Sequence, residues 1–478
     1  MAPTKLPVHQ CGFSRREFLT SCAGLAAGMG IFGRPGGSTL LASDEAGTRE
    51  KARIRLVFPY PDPDQPNWPN IGYDFAGHIE EIKSKFISQC PNSVFLPLTT
   101  KDGSKEEAER ILKLDGEVDG YVIYLAGCLW GGLVPALAAS GKPTVMVDNL
   151  YAGSGAFLMG YSGAKRAGHK VIAVSSSRFE DAADAVRCIE TLKYLKQTTA
   201  LVVGRDTDQG IQPVYGTTMR KVEFPEINAA YKAVKPADAG KVADKWIAGA
   251  EKVIEPSRQD IEKAAAMYLA MSGLMTKYSA DAITVNCLGG IYGGNMVEAY
   301  PCLGFMQLDN DGVVGACEAD QRSTMTKLLM LNLVGHPGFI SDPVIDTAKN
   351  RIIYAHCVGS TKVYGPGGES NPYHIRSHSE DRKGACNRSL MPLGERVTTI
   401  QFDHEKKQVI LHQGTTVENV DEDKACRTKL AVEVDGDIDK LLTYWDKWGW
   451  HRVTFYGDHK RQVRNIAGLL GFEVIEEA

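Results

Sequence analysis

The sequence predicts an α/β protein: two doubly wound α/β domains followed by a β-rich, barrel-like C-terminal domain. Three observations carry this. From Arg53 to Leu195 short apolar, β-branched runs alternate with amphipathic helical patterns, the mark of a parallel sheet with helices on its faces. The alternation starts afresh at Ala200-Leu201-Val202-Val203-Gly204. After Asp342-Pro343 it gives way to short strands separated by turns. A chain of 478 residues also has room for roughly three domains. The expected boundaries are a leader and linker at 1–48, an N-terminal α/β domain at 49–197, a second at 198–345 and the β-rich domain at 346–478.

In the first domain Arg53 to Phe58 reads as a strand, and Tyr73 to Phe86 as a helix with Phe75, Ile79, Ile82 and Phe86 on one face. Strand-like runs recur at Ser93 to Leu98, Tyr121 to Ala126, Thr144 to Asp148 and Val171 to Ser175, with the clearest helices at Glu106 to Leu114 and Phe179 to Leu195. Gly153-Ser154-Gly155, with Gly160 and Gly163, departs from a dinucleotide fingerprint because Leu158 stands at the third glycine position; a flexible loop over a cleft is expected there. The second domain continues with helices at Asp238 to Lys252 and Arg258 to Lys277 and a strand at Ala282 to Cys287. Gly289-Gly290 and Gly293-Gly294 after it would let backbone approach a ligand. In the third, strands are expected at Arg351 to Cys357, Tyr373 to His378, Arg396 to Phe402, Gln408 to His412, Thr428 to Val434 and His451 to Tyr456.

A net charge of −4 gives no electrostatic case for nucleic acid or an anionic membrane surface, so neither is expected as a partner. Ser14-Arg15-Arg16-Glu17-Phe18-Leu19, followed by a weakly apolar run from Ala23 to Phe32, reads as a twin-arginine export signal, too short and polar for a stable membrane span. A periplasmic or extracellular protein beginning near Ser43 is expected. Beyond Cys11 and Cys22 nine cysteines remain, an odd number without C-x-x-C spacing, which points to buried small residues and not to a disulfide framework or zinc site.

The candidate site centres on Val313-Val314-Gly315-Ala316-Cys317-Glu318-Ala319-Asp320, read as a buried strand running into the helix Met325 to Val334. On a continuing strand Glu318 and Asp320 would project to one side, at the carboxyl edge where open α/β sheets hold ligands. Equally, Asp320 reads as the N-cap of that helix. His356 and His378 lie in predicted strands and are candidates to line the site; His374 and His404 read as surface residues.

Taken in order, Ala316-Cys317-Glu318-Ala319-Asp320, Ala355-His356-Cys357, Arg376-Ser377-His378 and Gly449-Trp450-His451 before Tyr456-Gly457-Asp458 resemble the L-fucose/L-arabinose isomerase superfamily, especially its fucose-isomerase-like branch. The resemblance implies a ketol isomerase acting on a free deoxy-hexose or pentose through an enediol. It implies a divalent metal, usually manganese, held by two carboxylates and a histidine, and a homo-oligomer such as a trimer or hexamer. By position it makes Asp320 and His451 metal ligands, Glu318 and Asp320 catalytic, and Gln307, His356 and His378 substrate-binding. Gln307 stands where the family's other carboxylate is expected, and an amide is no base. Either Glu298, Asp309 or Glu318 has taken over, or the chain is an exported sugar-binding protein without isomerase activity.

Replacing Arg15 and Arg16 with lysine is expected to retain the protein in the cytoplasm, measured by cell fractionation; unchanged export of the variant would defeat the signal reading.

Overall fold

The computed structural model describes residues 49–478; the expected export signal lies outside the described residues. Strands β1 (Ala52–Pro59), β2 (Ser93–Thr100), β3 (Gly120–Leu125), β4 (Thr144–Asp148) and β5 (Val171–Val174) form an all-parallel sheet in the order β2-β1-β3-β4-β5. Such pairing requires crossovers, which the intervening helices supply. The first, Phe75–Gln89, starts on Asp74, whose carboxylate accepts the Gly77 N–H, and it buries Phe75, Ile79, Ile82 and Phe86 as their spacing predicts. The glycine-rich segment expected as a loop is a helix, Ser154–Arg166. Gly160 lies in that helix against Val134 and Met146, so the small residues there serve close packing.

β6 (Thr199–Val203), β7 (Gly210–Ile211), β8 (Thr218–Val222), β10 (Ala282–Val285) and β11 (Val314–Cys317) make a second sheet in the order β11-β10-β6-β8-β7, parallel except for β7. β9 (Lys252–Val253) leaves it to pair with β14 (Tyr373–Arg376) and β15 (Cys386–Ser389). Gly289 and Gly290 lie in a short helix, Cys287–Tyr292, where a side chain would strike Asn286 and Phe224; they serve packing here, not a ligand's approach. His374, expected at the surface, is buried, with Glu251 3.4 Å from its Nε2.

The third sheet closes on itself. β12 (Phe339–Asp346), β13 (Arg351–His356), β16 (Arg396–Asp403), β17 (Gln408–Asn419), β18 (Thr428–Val434) and β19 (Arg452–Tyr456) run β16-β19-β12-β13-β18-β17, and β17 returns to β16, so the antiparallel barrel has no free edge; β20 (Glu473–Glu476) adds in parallel to β17. The fold is therefore the expected one, two parallel α/β sheets followed by a closed β-barrel. Among the described residues no helix is long and apolar enough to cross a membrane.

Helix Gln321–Val334 joins the layers. It packs on the barrel, on β11 and on helix Phe179–Leu195 of the first sheet, and is buried nearly all round. Its Lys327 is 1% exposed, and donates to Asp309 at 2.7 Å and to the Gly315 carbonyl of β11. Burial pushes the Asp309 carboxyl up to about 6 against the opposing pull of Lys327. Within the barrel Glu477 accepts from Arg452 at 3.0 Å and lies 2.9 Å from His412 Nδ1, all three buried. Burial raises the Glu477 carboxyl, but Arg452 and His412 outweigh it and hold it below its ordinary 4.5.

A depressed carboxyl contributes stability that is present above its unfolded value and lost as pH falls through the folded one. Denaturant titration of the wild type is therefore expected to show stability declining below about pH 4.5. Glu477→Gln, which leaves Arg452 buried without its counter-charge, should cost about 3–5 kcal/mol at pH 7 and flatten that decline.

Candidate active site

Glu318 is the first residue beyond β11, and the turn that follows is what aims it. β11 ends at Cys317, so Glu318 and Asp320 do not share a strand face. Instead Glu318 and Ala319 take φ of 61° and 52°, the left-handed region, which costs an L-residue roughly 1–2 kcal/mol. The turn is held by the Ala319 N–H on the Val285 carbonyl at 3.0 Å and by Arg205 donating to the Glu318 carbonyl at 3.2 Å. Strain of this kind persists where surrounding contacts over-determine it, and functional sites are where it collects.

Three barrel strands face this turn. β19, β12 and β13 are neighbours, with Ser341 opposite Arg452 and Asp342 opposite Ala355, so His451, Asp342 and His356 emerge close together on one rim. His451 Nε2 lies 3.2 Å from Asp342 Oδ1 and 3.6 Å from Glu318 Oε2. His356 Nε2 lies 3.7 Å from Glu318 Oε1, and the two imidazole rings are 5.6 Å apart. Both Nε2 atoms are buried and neither makes an aligned hydrogen bond. Two orphaned imidazole nitrogens converging with two carboxylates form a donor set that fits a divalent cation.

Asp320 and His451 meet as expected, at 2.8 Å, but through the far nitrogen of the ring: Nδ1–H donates to Asp320 Oδ2. Asp320 is also the helix N-cap, accepting the Ser323 N–H at 3.1 Å and the Ser323 hydroxyl at 2.6 Å. Asp320 therefore contacts His451 on the Nδ1 side and is positioned to orient the ring, as an outer carboxylate does for a histidine whose other nitrogen faces a ligand. His356, a candidate to bind substrate, lies beside Glu318 and His451. Its Nδ1 accepts the Cys357 N–H at 2.9 Å, so ligation through Nε2 moves the ring proton to Nδ1 and gives up that local bond, about 1 kcal/mol.

Charge follows the geometry. Burial disfavours the His451 cation, yet Asp320 and Asp342 together push its pKa up to about 10. Burial raises both carboxyls, and the adjacent His451 imidazole, with Ser323 donating to Asp320, outweighs it and holds them below their ordinary range. The site thus asks for positive charge between its carboxylates.

Gln307 lies apart from these residues. Its Oε1 accepts from Trp246 at 2.9 Å and its amide donates to Asp311 at 2.8 Å, inside the second α/β unit and away from the cleft lining. Glu298 pairs with Lys383 and Asp309 with Lys327, so neither substitutes as base. His378 lines a small cavity with Glu318 and His356, its ring 5.1 Å from that of Tyr300 at a 32° tilt and 3.3 Å from Asp381. His404 is half-buried beside Tyr215 in the main cleft. That cleft, about 700 Å³, opens over Glu318 and His451 and is walled by Arg205, Arg322, Gln401 and Trp450. Sequence reasoning missed Asp342, read only as the marker of a domain change; the available signal was an acid inside the β-type run Phe339 to Ile345.

No family model matches the chain. It is 22% identical over 282 residues to the sulfoquinovose isomerase of Clostridium sp. (strain MSTE9), covering 56% of this chain and 60% of the relative. The sulfoquinovose isomerase of Priestia aryabhattai is 24% identical over 192 residues, 36% of this chain and 41% of that protein. The chain thus matches about 60% or less of the length of these relatives. Among solved structures, a periplasmic solute-binding protein of an ABC transporter from Actinobacillus succinogenes 130z with bound D-allose aligns over 52% of this chain and 83% of that chain, at 11% identity. Its TM-score of 0.18 carries no argument. The chain is similar in sequence to sugar isomerases.

Asparagine caps helices as well as aspartate does. Asp320→Asn therefore keeps the cap but removes a charge that holds His451 protonated, and is expected to lower the stability of the metal-free protein at pH 7 while weakening Mn²⁺ binding roughly 10–100-fold, as loss of an outer carboxylate does. Titration followed by electron paramagnetic resonance measures it, and an unchanged affinity would remove Asp320 from the support of His451.

Proposed function

We propose that the chain is a metal-dependent aldose–ketose isomerase acting on a free sugar, a deoxy-hexose or pentose. The observation that carries this reading is the convergence of Glu318, Asp342, His356 and His451 beneath an open cleft, with both imidazole Nε2 atoms buried and unpartnered. The isomerase relatives support it. Asp342, His356 and His451 would hold a divalent cation with Glu318 beside it, Mn²⁺ by the preference of carboxylate-bearing sites and by the family resemblance, and the cation would supply Lewis-acid polarisation of the sugar oxygens.

The remaining work falls to side chains. Glu318 is the donor-set member most open to the cleft, at 36% side-chain exposure, and its carboxylate takes the proton from C2 of the aldose and returns it to C1. The strained turn beneath it fixes the carboxylate's direction, so the base is in place before substrate arrives. His451, steadied by Asp320, holds its Nε2 toward the same point. Arg205, Gln401 and Trp450 offer hydrogen-bond donors, an acceptor and a ring face to hydroxyls and apolar faces of a sugar. Gln307 does not face this cleft, so the amide at that position is no argument for a binding protein that has lost its base.

The test incubates purified protein with Mn²⁺ and a panel of aldoses in D₂O and records C2 deuteration by NMR. Exchange is expected for at least one sugar, and Glu318→Gln should slow it about 10²- to 10⁴-fold. Sugar binding without exchange would overturn the isomerase reading in favour of a binding protein.

A further inference from the structure

Behind the donor set lies chemistry that isomerisation does not use. Cys287 Sγ and Cys317 Sγ are 3.4 Å apart, both thiols free and buried, with 3% and 4% of each residue exposed. Cys317 Sγ, a Glu318 carboxylate oxygen and a His356 imidazole nitrogen all lie within 4.8 Å of one another. His356 Nε2 is the buried, unpartnered atom already described, and His356 is only 2% exposed. A cavity of about 10 Å³, room for a single water or ion, has Cys287, Cys317, Glu318 and His356 in its lining, together with Cys302, Cys357 and His378.

We infer that Cys287, Cys317, Glu318 and His356 form a second, thiolate-bearing metal position, selective for a soft or borderline cation such as Zn²⁺ or Cd²⁺. Tetrahedral zinc with Zn–S bonds of about 2.3 Å places two thiolate sulfurs on the order of 3.8 Å apart, within a few tenths of an ångström of the observed pair. Cys317, Glu318 and His356 supply three mutually close corners, and Cys287, whose Sγ is 3.4 Å from that of Cys317, would swing in as the fourth. The opposite rim, with Asp342 and His451 in place of sulfur, offers harder donors. His356 belongs to both sets and Glu318 lies between them, so occupancy of the two positions is mutually exclusive. A thiophilic cation would then remove from the sugar site the carboxylate assigned as base, and each cysteine gives up its proton to solvent as the metal binds.

The test uses the full chain, reduced and freed of metal, titrated with CdCl₂ and read by the ultraviolet charge-transfer absorption of cadmium–thiolate bonds, which reports ligation whether or not any sugar turns over. The band is expected to saturate at one equivalent, to vanish in Cys317→Ser and to fall to about half in Cys287→Ser. Cd²⁺ should also displace bound Mn²⁺, restoring the free-ion paramagnetic resonance signal. No band, a band undiminished in both variants, or full Mn²⁺ retention at cadmium saturation would each overturn the proposal. Should Cys317→Ser fail to fold, judged by circular dichroism, Cys287→Ser and the wild-type displacement decide it. Failure of the Mn²⁺ reading is separately visible as no Mn²⁺ bound before cadmium is added.

Discussion

The site depends on two residues of left-handed backbone, Glu318 and Ala319, inserted between the end of β11 and the start of helix Gln321–Val334. A continuing strand would have carried Glu318 past the barrel rim, and a helix begun three residues earlier would have consumed it in the first turn. The cost of that conformation is met by the elements on either side. Lys327, one and a half turns into the helix, reaches back to Asp309 and to the Gly315 carbonyl, so strand and helix are clamped to each other by a buried charge pair with its hydrogen bonds made. Breaking such a pair costs about 3–5 kcal/mol, of the same order as the roughly 2–4 kcal/mol stored in the turn. Gly315 belongs to the same lock, because a side chain there would meet the Phe305 backbone at 2.9 Å.

The barrel contributes by adjacency. In an antiparallel sheet, residues opposite one another across neighbouring strands are the closest pairs, so β19, β12 and β13 bring His451, Asp342 and His356 together although they span more than a hundred positions of sequence. Closure makes the rim rigid, and the Arg452–Glu477–His412 network fixes β19 immediately behind His451. One face of the site thus rides on a barrel and the other on a parallel sheet edge, with helix Gln321–Val334 packed against both.

This division explains what was legible in the sequence. The strand and helix pattern of the α/β units is local, and Phe75, Ile79, Ile82 and Phe86 announce their helix by spacing alone. Glu318 and His451 were legible because a motif and a resemblance marked them. Asp342 was not, since its role arises from strand pairing with residues whose register no local pattern reveals. Gln307 was misplaced for the opposite reason: it resembles a site residue by position in the chain, while its amide is spent on Trp246 and Asp311. The glycines of Gly153 to Gly163 and Gly289 to Gly290 misled because close packing and ligand approach ask for the same residue.

Electrostatics ties the parts together. Asp320, Asp342 and Glu318 surround His451 at 2.8, 3.2 and 3.6 Å, an excess of negative charge that burial alone would neutralise by protonating a carboxyl. The carboxyls of Asp320 and Asp342 stay depressed because the imidazole takes the proton in their place. A divalent cation answers the same demand with twice the charge and leaves the histidine neutral, which is the form that ligates. The same carboxylate excess therefore keeps His451 protonated in the absence of a cation, and the proposed sulfur position behind Glu318 would decide how hard a cation the pocket keeps.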